Sequence, residues 1–273
     1  MANNIFCGKC GTENSESSKY CFRCGDELHK TVDVNYEIKG GNLPFVTIKL
    51  NNGDRVFSES GSMVWRTNDI KMETTSNGGA EKVFSRILTR ESLFQNIYTA
   101  MKENQEITFS SSFPGAILPI DIEPGKEVIC QKSAFLVGTS GVNLSIHFNK
   151  KIGTGLFNGE GFIMQKLSGT GKAFIEIDGS IEEKVLAKDE KIIISSGHLV
   201  MMDATCNIDV ETITGFKNIF FGGEGLFNTV ITGPGRVVLQ SMPIGKMANT
   251  ISGYLPVQSS SSNSNWYLIW NKS

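Results

Sequence analysis

Histidine is scarce in this chain of 273 residues: there are three, and only His147 and His198 lie beyond residue 30. No two of them stand at metal-binding spacing, and no Ser-His-Asp or Cys-His set is legible from spacing, so no enzyme activity is expected. Long apolar runs are missing as well. None approaches the ~18 residues that a bilayer-crossing helix requires, so no transmembrane segment is expected. The opening Met1-Ala2-Asn3-Asn4-Ile5-Phe6 has neither a basic start nor an apolar stretch. That argues against a secretory signal and for a cytoplasmic protein. Excess charge of one sign is absent too. Lys and Arg number 26 against 28 Asp and Glu, a net charge of −2, which leaves no long-range attraction for nucleic acid or an anionic membrane. Proline is sparse at 7 while glycine reaches 29. Abundant glycine among Val, Ile, Phe and Thr predicts short strands joined by tight turns, and hence an all-β fold.

What the sequence does hold is a cysteine pattern at its start. Cys7-Gly8-Lys9-Cys10-Gly11 is followed, with ten residues between Cys10 and Cys21, by Cys21-Phe22-Arg23-Cys24-Gly25. Two residues between cysteines let both thiolates face one metal from a single turn. The glycine that follows can take a positive φ and turn its N–H toward the sulfur. Two such turns give a tetrahedral four-sulfur site, the geometry of structural zinc. Cys7, Cys10, Cys21 and Cys24 are therefore the expected zinc ligands. The rival staple is a pair of disulfides, which the expected reducing compartment disfavours. His29 follows closely, but four thiolates already close the shell. Lys9, Lys19, Arg23 and Lys30 are balanced by Glu13, Glu16, Asp26 and Glu27, so there is no basic stripe to hold phosphates. Cys130 and Cys206 stand alone in strand-like contexts and read as small buried hydrophobes.

From Val32 onward alternating apolar residues dominate. Phe45–Leu50 and Val142–Ile146 are period-two strands, and residues 80–88 are the clearest helix-like stretch, a short one. Self-comparison aligns Glu91, Glu160 and Glu224, spaced by 69 and then 64 residues, each followed eight residues later by Thr99, Ser168 or Thr232. Gly-x-Gly then recurs at Gly169–Gly171 and Gly233–Gly235, and apolar triplets follow at 107–109, 173–175 and 237–239. Hairpins are expected at Gly169 and Gly233, in an internal repeat whose units pack together because one hairpin cannot bury its own face. The glutamates are read as turn residues that satisfy backbone N–H groups. Phe45–Leu50 and Val237–Leu239 are read as sparsely charged sheet edges, which a neighbouring subunit would cover.

Residues ~33–243 resemble the family named for altered inheritance of mitochondria protein 24. The match is carried by Arg90–Phe94, Phe113–Ile120, Gly159–Phe162, Gln165–Gly171, Gly197–Val200 and Gly222–Leu226 with Gly233–Val237. The resemblance implies a duplicated β-sandwich like that of the tryptophan RNA-binding attenuation protein, assembled as homotrimers with pseudo-sixfold symmetry and without established enzyme activity. The chain thus divides into a zinc ribbon (1–30), a repeat-built β-sandwich (33–243), and a C-terminal segment (244–273) with a Ser/Asn-rich linker and the aromatic run Trp266–Trp270. That run either docks on the domain or touches a neighbouring subunit or a membrane surface.

Two other patterns fail on inspection. Gly169-Thr170-Gly171-Lys172 ends like a phosphate-binding loop, but Lys166 and Ala173 stand where glycine and Ser/Thr are needed. A site joining His147, His198 and Asp203 lacks ligand spacing. The expected function is a non-enzymatic assembly or adaptor, in which the ribbon meets an unidentified protein partner. Nucleic-acid binding, and a small ligand or metal held in the β-sandwich, are the alternatives.

Overall fold

The computed structural model describes residues 4–6, 12–15, 18–25, 34–59, 61–76, 94–123, 125–150, 162–212, 227–252 and 254. The helix-like 80–88, the three aligned glutamates and Trp266–Trp270 lie outside them. In the ribbon, β1 (Asn4–Phe6) pairs antiparallel with β2 (Glu13–Ser15). The remaining strands confirm an all-β architecture, and the helix α1 (Ile244–Ser252) follows the last of them.

After β3 (Tyr36–Lys39), the strands fall into three sets of six. The first is β4 (Phe45–Leu50), β5 (Arg55–Glu59), β6 (Met63–Arg66), β7 (Ile70–Ser76), β8 (Phe94–Ala100) and β9 (Gln105–Ser110). The second is β10 (Gly115–Ile122), β11 (Val128–Gln131), β12 (Phe135–Thr139), β13 (Val142–Lys150), β14 (Phe162–Gly169) and β15 (Gly171–Asp178). The third is β16 (Ile181–Leu186), β17 (Lys191–Ser195), β18 (Leu199–Asp203), β19 (Asn207–Thr212), β20 (Phe227–Thr232) and β21 (Gly235–Gln240).

One pairing scheme recurs in all three sets. The sixth strand sits between the first and third, and the fifth sits between the second and fourth. The third strand carries an irregularity at the same place each time, after Met63, Phe135 and Leu199. A side-chain oxygen at its end accepts the N–H of the sixth strand's second residue. These pairs are Thr67 with Glu106 at 3.2 Å, Thr139 with Lys172 at 3.1 Å, and Asp203 with Arg236 at 2.7 Å. The aligned triplets 107–109, 173–175 and 237–239 occupy the third to fifth positions of β9, β15 and β21.

Gly169 and Gly233 are not hairpin turns. β14 and β15 belong to different sheets, and so do β20 and β21. At both places the chain crosses from one sheet to the next, and backbone packs against backbone. A Cβ on Gly169, whose φ is +95°, would lie 2.3 Å from the carbonyl oxygen of Gly141, and one on Gly233 2.4 Å from that of Ala187. Only glycine permits so close an approach.

Sets join through their second and third strands. β12 pairs with β5, and β18 with β11. Four sheets result: β3-β4-β9-β6, then β10-β15-β12-β5-β8-β7, then β13-β14-β11-β18-β21-β16, and last β17-β20-β19. Three hydrophobic cores lie between successive sheets. Ile48, Phe109, Tyr98 and Phe174 mark the first, Ile122, Phe135, Leu167 and Val238 the second, and Ile129, Leu199, Ile194 and Ile231 the third. The two middle sheets are therefore covered on both faces. This explains why β11 and β12 are buried at every position while β4 alternates. β4 lies between β3 and β9, and β21 between β16 and β18, so the two segments expected at sheet edges are both interior strands.

Candidate metal centre

The second cysteine turn of the ribbon is built around a buried sulfur. Cys21 is 2% exposed, whereas Cys24 is exposed. The Cys21 sulfur accepts the backbone N–H of Arg23 at 3.4 Å and the side-chain amide of Asn14, on β2, at 3.7 Å. Donors aimed at a sulfur favour its thiolate, the form that binds a metal. Asn14 also accepts the N–H of Phe22 at 3.0 Å, which ties the turn to β2. Gly25 has φ +73°, as the spacing predicts, but its N–H donates to the carbonyl of Cys21 at 2.9 Å instead of to a sulfur. Of the two donors that face the sulfur, the Arg23 N–H comes from inside the turn and the Asn14 amide from β2. Cys7, Cys10 and His29 lie outside the described residues. The turn that is described fits a thiolate-bound zinc: its buried sulfur is held by two donors and its chain reverses through a left-handed glycine.

A zinc-ribbon domain model matches residues 6–28, and the mitochondrial biogenesis AIM24 family model matches residues 36–242. The chain belongs to the AIM24 family. An uncharacterised protein of Streptococcus pyogenes serotype M6 is 29% identical over 227 residues, covering 80% of this chain and 89% of that one. The crystal structure of a protein from Streptococcus pyogenes superposes with a TM-score of 0.68. It is 24% identical, and the match covers 81% of this chain and 100% of the other, so it speaks to the fold alone.

Elsewhere in this AIM24-family chain, most residues singled out by sequence are held by packing, hydrogen bonds or ion pairs. Cys130 is fully buried on β11, and burial, with a smaller push from the Glu59 charge, drives its thiol up to about 12. Burial and then the Asp203 charge raise Cys206. His147 is exposed on the outer strand β13, and the Nδ1 of His198 lies 2.7 Å from the carbonyl oxygen of Gln240. Asp203 accepts the N–H of Arg236. Lys172 pairs with Asp121, and its ammonium lies 5.6 Å from the centre of the Tyr36 ring. Among the described residues no three His, Cys, Asp or Glu side chains converge as a metal site.

A cleft of about 360 Å³ brings together residues that sequence reading did not single out, among them Glu59, Gln131, Glu176, Asp178 and Gln240. Burial raises Glu176, against the lowering effect of the Ser112 N–H at 2.7 Å and the Ser111 hydroxyl at 3.0 Å. Burial likewise raises Asp178, opposed by the Ile244 N–H at 3.0 Å at the start of α1. Such carboxyls are ordinary candidates for acid–base work, but here their oxygens hold joints. Glu176 and Gln240 both stand sixth in the sixth strand of their sets. Glu176 binds the residues that follow β9, and Gln240 accepts the N–H of Asp178 at 2.9 Å, where β15 ends. The sixth strand of one set thus fastens the linker leaving the set before it. No local signal in the sequence marks these residues, because their partners lie 62 to 65 positions away.

Proposed function

We propose that this chain is a non-enzymatic assembly protein of the cytoplasm, in which a homotrimer of internally repeated β-domains presents zinc ribbons to a protein partner. The ribbon's tip carries the reading. Phe22 and Tyr20 expose 79% and 62% of their surfaces beside the anchored Cys21. Aromatic side chains on a small, stapled turn suit a protein surface. In this reading Cys7, Cys10, Cys21 and Cys24 hold one zinc in a closed shell, which folds the ribbon and leaves no open position for chemistry. The ribbon covers 1–30, the β-domain 33–243, and 244–273 is a C-terminal segment that begins with α1. The family resemblance and the apolar residues left exposed on outer strands support the trimer reading.

Light scattering on the full chain should give three times the chain mass. An affinity pull-down should recover the same partner with the native chain and lose it with Phe22→Asp, whose zinc content should be unchanged. Equal recovery with Phe22→Asp would remove the ribbon from the binding site. RNA or DNA binding that weakens steeply with salt would replace the adaptor reading with a nucleic-acid one.

A further inference from the structure

Among the described residues of the ribbon, one polar side chain is buried. Asn14 lies in the middle of β2, opposite Ile5 of β1, and is 4% exposed. Glu13 and Ser15 on either side of it are exposed, so the strand turns this residue inward, toward the second cysteine turn. A buried amide needs partners for both of its N–H groups and for its oxygen. Asn14 finds all three. Its Nδ2 donates to the carbonyl oxygen of Thr12 at 2.6 Å and to the Cys21 sulfur at 3.7 Å, and its Oδ1 accepts the Phe22 N–H at 3.0 Å.

This pattern fixes which way the amide faces. Turned over, its N–H groups would meet the Phe22 N–H, and its oxygen would meet the Thr12 carbonyl and the sulfur. Like groups would then oppose each other at every contact. A donor, not an acceptor, therefore faces Cys21. The other donor to that sulfur, the Arg23 N–H, is backbone and comes with the shape of the turn. The Asn14 amide comes from a different strand and depends on the residue type. Thr12 stands two residues past Cys10, so the same amide ties the chain leaving the first cysteine pair to the turn that carries the second.

We propose that Asn14 is a positioning residue of the metal centre: its amide N–H holds the Cys21 sulfur as a buried zinc ligand, while its oxygen locks the turn to β2. This deepens the zinc reading above and rests on it. An N–H aimed at a metal-bound thiolate draws off part of the sulfur's negative charge, which steadies the ligand and lowers its reactivity. Cys21, buried and facing two donors, is then the sheltered ligand of its pair, and the exposed Cys24 is the one that solvent reaches. Aspartate has nearly the shape of asparagine but no N–H. It keeps the acceptor for Phe22 and loses the donor to the sulfur, which separates the two halves of the proposal.

The test uses the full-length chain filled with excess cobalt(II), whose thiolate-to-metal charge-transfer band reports on the sulfurs directly. Losing the donated hydrogen bond raises the filled sulfur orbitals, so Asn14→Asp should move the band to lower energy. Its zinc affinity, measured by competition with a chelator, should fall about 10–100-fold. Ser15→Asp adds the same charge at an exposed position of β2 and should match the native chain in both measurements. Asn14→Leu loses every contact without adding charge and should shift the band in the same direction. It decides the matter where Asn14→Asp takes up no cobalt. A weakened affinity with an unmoved band would make Asn14 a structural brace alone. Native affinity in Asn14→Asp would leave only the Phe22 contact at work. An equal effect of Ser15→Asp would assign the change to charge, and failure of both Asn14 variants to bind cobalt would exceed the reach of a residue outside the shell. Each of these overturns the proposal while the zinc site stands. A native chain with neither zinc nor a thiolate–cobalt band removes the zinc reading, and the role of Asn14 with it.

Discussion

Replacing Phe174 by alanine should be among the most damaging single changes in the β-domain. Phe174 is 0% exposed on β15, a strand of the second set, yet it packs in the core between the first and second sheets. Its ring meets that of Tyr36 edge to face, with centroids 4.9 Å apart. Truncating a buried phenylalanine costs about 3–5 kcal/mol, since the apolar transfer energy is lost and the cavity refills only in part. For a domain of this size each kcal/mol moves the melting temperature by roughly 2–4 °C, so the shift should be on the order of 10 °C. Because the middle sheets each close two cores, the whole domain should melt in one transition and shift as one. Differential scanning calorimetry is the direct assay, with Phe22→Ala as the control. The Phe22 side chain is 79% exposed on the ribbon, and its loss should leave the β-domain transition in place. A cost under about 1 kcal/mol for Phe174→Ala, or two transitions of which only one moves, would refute the shared-core account.

The purified chain should carry about one zinc by elemental analysis. Cys21→Ser should lose it without moving the β-domain transition; a coupled collapse would contradict the boundary near residue 30. With its thiol pushed up to about 12, Cys130 is thiolate only to the order of 10⁻⁵ at neutral pH. Neither Cys130 nor Cys206 should react with a thiol reagent until the domain unfolds, and fast labelling of the folded chain would disprove their burial. Glu176 and Asp178 titrate above their ordinary values of 4.5 and 3.8 in the folded chain. Folding therefore takes up protons just above those values. The stability these groups contribute is present on the acid side and is lost as pH rises through the raised folded values. Urea midpoints across that range should show the slope in the native chain and a flatter one in Glu176→Gln; an unchanged slope would place the proton uptake elsewhere.

The sequence by itself determined the features that depend on neighbouring residues. The turn Cys21–Gly25 was legible because a metal knuckle is closed by five consecutive residues. β4 was legible because the alternation of Val46, Ile48 and Leu50 marks one buried face. The triplets at 107–109, 173–175 and 237–239 could be aligned because each fills the same positions of a sixth strand. Alternation, however, tells which face of a strand is buried and not which strand lies beside it. The tertiary structure alone decided that Gly169 and Gly233 cross between sheets, since a Gly-x-Gly turn serves a hairpin and a crossing equally well. It placed β4 and β21 inside sheets although they carry few charges. It made joints of Glu176 and Gln240, whose partners are set by the stacking of one set of strands on the next. Backbone hydrogen bonds look alike along every strand, so the choice of partner falls to the cores, where residues from different sets must close both faces of the middle sheets at once.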